Sequence, residues 1–182
     1  MMGIRKRFPE FQSILQVYAV SAVMFAGWTI TSFLWKLSAW LLLLNLGELF
    51  TVFSYAMVAN FVESLTVLGL VLMICVLLPA DAGRDDFIVR GTLLSLGIIG
   101  ALMAFVGSHM QFGIDAGFRL LLAPLLVLIV TSALLVVSVN SQLVRSAAAW
   151  LSDRLTVFLF LLLPLFAVLS VFVIFRNLVG ST

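Results

Sequence analysis

Five stretches of this chain are almost wholly apolar over about 20 residues or more, the length of helix that crosses the roughly 30 Å hydrocarbon core of a bilayer. One of them, between Arg119 and Arg145, contains no charged side chain at all. Few folds accommodate such a pattern. In water these surfaces aggregate, whereas in lipid they are suited to their solvent once every backbone polar group is paired inside helices. Composition agrees: 64% of the 182 residues are hydrophobic, 10% are charged, and the mean hydropathy is +1.27. The expected fold class is all-α, a polytopic transmembrane helix bundle forming a single integral membrane domain over residues 1–182.

The predicted spans are residues 13–35, 49–78, 88–108, 120–142 and 155–175. The second is long for a bilayer, about 45 Å as a helix, and must tilt, bend or protrude. Residues 38–47 (SAWLLLLNLG) are apolar but too short to cross. They are expected to form an interfacial or shallow re-entrant segment anchored by Trp35, Lys36 and Trp40. One bent helix over 38–78 is the alternative. Pro79 to Gly83 ends the second span, Gly113 to Gly117 makes the next turn, and Pro164 is expected to kink the fifth span. Residues 145–154 (RSAAAWLSDR) read as a helical extension along the membrane surface, with Trp150 as anchor.

The basic residues set an orientation. With the N-terminus inside, Arg5, Lys6, Arg7, Arg84, Arg90, Arg145 and Arg154 fall on the cytoplasmic side, and Lys36, Arg119 and Arg176 on the other. Seven against three obeys the positive-inside rule. Five spans then place the C-terminus outside. Arg5 to Arg7 followed by an apolar run resembles a secretory signal, but the run is too long for a removed segment, so it reads as a retained first span.

Several chemistries have no basis in the residues. With one cysteine, Cys75, an intrachain disulfide is impossible and a thiolate metal site unsupported. With one histidine, His109, a site of several imidazoles cannot form within one chain. No nucleophile elbow, phosphate-binding glycine loop or metalloprotease helix is present. Asp81 to Asp86 invites comparison with metal-binding lipid phosphotransferases, but the following span lacks the further aspartates they need. A net charge of +2 gives no reason to expect nucleic acid. No catalytic residue, metal or cofactor is therefore expected, and the protein reads as non-enzymatic.

Glu63 is the sharpest candidate. It lies at the midpoint of the second span, where a charged side chain costs roughly 2.5–3.5 kcal/mol on insertion scales. Asn60 and Thr66 lie three residues to either side, and Thr131 and Ser132 mark the midpoint of the fourth span. A hydrogen-bonded cluster of Glu63, Asn60, Thr131 and Ser132 is predicted. It serves either as uncharged glue between helices, the favoured reading, or as a proton or cation site. Glu48 suits a helix N-terminus. Gly97, Gly100, Ala104 and Gly107 form one small-residue face on the third span, a device for close helix packing. His109 lies near Asp115 in sequence, a pairing that reads more simply as loop than as sensor.

The stretches Leu44-Asn-Leu-Gly-Glu48 and Asn60-Phe-Val-Glu63-Ser64 resemble segments of small uncharacterised bacterial polytopic membrane proteins. That resemblance implies a bacterial cytoplasmic membrane and brings no activity. The expected partners are the lipid bilayer and other membrane subunits or further copies of the chain. The function expected is an accessory or assembly subunit; a small oligomeric transporter or channel built on Glu63 is the alternative.

Overall fold

The computed structural model describes residues 9–77, 86–112 and 119–179. The basic run Arg5 to Arg7, the turns at 79–83 and 113–117, Arg84, Asp115 and residues 180–182 lie outside the described residues. Five helices account for the rest: α1 Phe11–Trp40, α2 Leu46–Leu77, α3 Phe87–Phe112, α4 Arg119–Asn140 and α5 Gln142–Val179. All five contain segments long and apolar enough to cross a membrane. The fold is an all-α bundle, as the apolar runs require.

α1 is the central helix. Residues 17–22 are buried without interruption, so this segment is covered on every side. One flank, through Tyr18, Ala19, Ala22 and Ala26, packs against Met57 of α2 and Leu159, Leu162, Phe166 and Leu169 of α5. The three alanines allow α5 to approach closely. The other flank, through Val17 and Phe25, meets Val67 and Val71 of α2 and Phe87 and Ile99 of α3. α3 approaches so near that a Cβ on Gly91 would stand 2.9 Å from Cγ2 of Val17. With lipid as solvent there is little hydrophobic drive between helices, so these van der Waals fits hold the bundle together. α4 is peripheral and packs mainly on α3.

Contacts at the two ends fix the helix directions. At one end Asp86, just before α3, pairs with Arg145 in the first turn of α5 and with Arg90 at 3.9 Å. At the other, Arg176 near the end of α5 donates to the Thr51 hydroxyl of α2, and the Tyr55 hydroxyl donates to Oδ1 of Asn177. α3 and α5 therefore run in the same direction, and α2 runs against α5.

Residues 38–47 do not form an element of their own. Ser38 to Trp40 complete α1, residues 41–45 make a turn, and Leu46 and Gly47 begin α2. The alternative of one helix over 38–78 is overturned by that turn. Its backbone is nonetheless paired: the Leu41 N–H donates to Leu37 O at 2.9 Å and the Leu44 N–H to Trp40 O at 2.7 Å. Asn45 and Glu48 then start α2 with a reciprocal pair. The Asn45 N–H donates to the Glu48 carboxylate and the Glu48 N–H to Oδ1 of Asn45, both at 2.9 Å. This is a capping box, which satisfies backbone donors that a helix start leaves free.

Residues 145–154 are a helical extension, and it is continuous with the fifth span. α5 starts at Gln142 rather than Leu155 and runs unbroken for 38 residues, through Pro164. At 1.5 Å per residue it is about 57 Å long. Trp150 belongs to this helix and is 62% exposed. Trp35 is 84% exposed and Lys36 exposed beside it, whereas Trp40 is half-buried, its ring edge-on to Phe33 at 5.5 Å.

Candidate functional site

Along α2 the residues Ser54, Met57, Asn60, Ser64, Val67 and Val71 are buried, and they recur every three or four positions. That stripe faces the bundle. Glu63 lies beside it and is exposed, at the rim where α2 turns away from its neighbours. At 1.5 Å per residue Glu63 is about 25 Å from the start of α2 and about 21 Å from its end. Centred in a bilayer, it therefore sits close to the midplane.

The carboxylate borders a cavity of about 540 Å³ between three helices. α1 contributes Phe25 and Trp28; α2 contributes Val62, Glu63, Thr66, Val67 and Leu70; α3 contributes Ile98, Leu102, Met103 and Val106. Glu63 is the sole ionisable group in this lining. The Thr66 hydroxyl is already occupied, donating to the Val62 carbonyl at 2.9 Å. Among the described residues none bonds or pairs with the Glu63 side chain.

The predicted four-residue cluster does not form. Asn60 is 5% exposed, and its amide nitrogen lies 3.9 Å from the Met57 sulfur on its own helix. Thr131 donates to Val127 O and Ser132 to Leu128 O, both at 2.8 Å, so each hydroxyl is satisfied within α4. Neither residue lines the Glu63 cavity. The physical reason is placement: α4 lies against α3, on the flank carrying Gly97 and Gly100, whereas the cavity uses the flank carrying Ile98, Leu102 and Val106. Equal depth in two spans did not bring their side chains together.

The small-residue face is used over half its length. A Cβ on Gly97 would collide with Thr131, and one on Gly100 would stand 3.3 Å from Cγ1 of Val127. Gly107 meets nothing within 4 Å, and Ala104 is half-buried. Off the centre of that face the helix is no less crowded, since Ser95 is 0% and Ala101 8% exposed.

Three features lay beyond the sequence reading. Ser21 of α1 and Thr92 and Ser95 of α3 are buried hydroxyls with no hydrogen-bond partner among the described residues. Asp86 and Arg145 border a second cavity of about 620 Å³, shared with Asn140, Gln142 and Ser146. Phe25 and Trp28 wall the Glu63 cavity, which only the packing of α1 between α2 and α3 reveals. The Asn45 cap alone carried a local signal, Asn-x-x-Glu ahead of an apolar run. His109 is exposed and stacks on Phe105 at 6.5 Å, one turn away on α3. Among the described residues no three His, Cys, Asp or Glu side chains converge as a metal site would require.

No protein-family model, curated protein or solved structure matches the chain.

Proposed function

We propose that this protein is a non-enzymatic accessory or assembly subunit of a bacterial cytoplasmic membrane, with its N-terminus cytoplasmic, that packs against the transmembrane helices of another protein. The observation that carries this reading is Glu63: an exposed carboxylate at mid-helix, facing outward and without a partner among the described residues. Leaving a charge against lipid costs roughly 2.5–3.5 kcal/mol, so intramembrane acids normally face protein or water. Among the described residues Glu63 has no partner, which favours a contact with a neighbour over glue between helices of this one chain.

The rival reading, a transporter or channel, has the same carboxylate in its favour. Its cavity, however, is otherwise apolar except for an occupied threonine hydroxyl and the Trp28 indole. Among the described residues that line this cavity the polar groups do not form a continuous file, and an ion path needs one. Purification in mild detergent separates the two. Other membrane proteins present at fixed stoichiometry support the accessory role. A lone homo-oligomer whose proton or cation flux in vesicles disappears in Glu63→Gln supports transport.

A further inference from the structure

Resting on the accessory-subunit reading, we propose that the Glu63 cavity receives a lysine or arginine side chain carried near the middle of a partner protein's transmembrane helix. The missing component is a cation or strong donor at midplane depth, since intramembrane acids are normally paired or turned towards protein or water. Among the described residues no basic side chain of a second copy is placed to supply it. Lys36, Arg90, Arg145 and Arg176 lie within four residues of a helix end, His109 lies three from the end of α3, and Arg154 borders the apolar stretch of α5. The midplane of one copy coincides with that of another in either orientation, so none of these groups reaches Glu63. Lipid cannot supply it either: acyl chains have no donor, and headgroups lie about 15 Å away, half the hydrocarbon thickness.

The shape of the site favours a helix over a free organic cation. Val62, Thr66 and Leu70 form one rim along α2, and Ile98, Leu102 and Val106 the other along α3. Each rim spans nine residues, about 12 Å, and follows its helix axis. Such a groove accepts the ridge of another helix, with one side chain directed at the carboxylate. The Trp28 ring on the α1 wall adds a surface that attracts a cation.

The test uses the full chain in phosphatidylcholine vesicles with three labelled polyleucine transmembrane peptides, whose central residue is Lys, Leu or Glu, and reads association by energy transfer. The Lys peptide is expected to associate about tenfold more tightly than the Leu peptide, and the Glu peptide no better than the Leu one. Glu63→Gln should abolish the difference, and Glu48→Gln should preserve it. Equal association of the Lys and Leu peptides with the unaltered protein overturns the proposal, whatever the variants do. Glu63-dependent binding of tetraphenylphosphonium without peptide selectivity assigns the cavity to small organic cations and also overturns it. So does Glu63-dependent self-association with inert peptides, which assigns it to a second copy. Native complexes that survive Glu63→Gln, with no peptide selectivity, would leave the accessory reading standing and remove this inference alone.

Discussion

Thr131 of α4 occupies the space that a Cβ on Gly97 of α3 would need. The two helices meet at that point with no room for adjustment, since the nearby Thr131 Cβ itself belongs to the contact. Gly97→Ala should therefore destabilise the bundle by about 1–3 kcal/mol, the usual range for overpacking. Gly97→Leu should detach α4. Gly107→Leu, where nothing lies within 4 Å, should be tolerated. Denaturation in mixed detergent micelles measures all three, and equal effects at Gly97 and Gly107 would contradict the seam. Ser95 and Ala101 are unsuitable as permissive controls because both are buried.

The Asn45–Glu48 pair predicts a specific asymmetry. Asn45→Ala removes the cap and should cost about 1 kcal/mol. Glu48→Gln keeps an acceptor for the Asn45 N–H and should cost much less. Were Glu48 acting through its charge, glutamine would be as harmful as alanine. Comparing the three variants in the same micelle assay distinguishes the two.

Asp86 and Arg145 join the start of α3 to the start of α5. Their side chains are 19% and 43% exposed, so solvent screens the pair and its worth is small, about 0.5–1 kcal/mol. A double-mutant cycle with Asp86→Asn and Arg145→Gln should show a coupling of that size which shrinks as salt is raised. Coupling indistinguishable from zero at low salt would contradict a working ion pair.

The orientation from the basic residues is checked by reporter fusions. A fusion after Val179 should report from outside the cytoplasm, and one at Gly83 from within it. Signals from the same side would contradict three spans between these two points.

The helices were legible because the apolar runs are long and their interruptions conventional. Glu48 was placed at a helix start on the same local terms, whereas its partner Asn45 went unread. What escaped is everything that depends on which side of a helix meets which neighbour. Asn60 and Glu63 are three residues apart, yet one faces the bundle and the other borders an outward cavity. Shared depth suggested that Thr131 and Ser132 would reach Glu63, but α4 attaches to the other flank of α3. The small-residue face named Gly97 and Gly100, which make a close approach, and gave no hint that a Cβ on Gly107 would meet nothing among the described residues. Residues 145–154 were set apart by their charges, although nothing between Gln142 and Leu155 breaks a helix, and one does run through.

The central claim is that another protein's transmembrane helix covers the Glu63 surface. Photo-cross-linking in intact membranes tests it most directly, with p-benzoylphenylalanine replacing Val62 on the cavity rim and, as control, Val136 on the exposed face of α4. The account predicts that the probe at position 62 joins the 19.9 kDa chain to one protein of different, reproducible mass, and that the probe at position 136 does not give this product. Products containing only lipid, or only a second copy of the chain, from position 62 would contradict it.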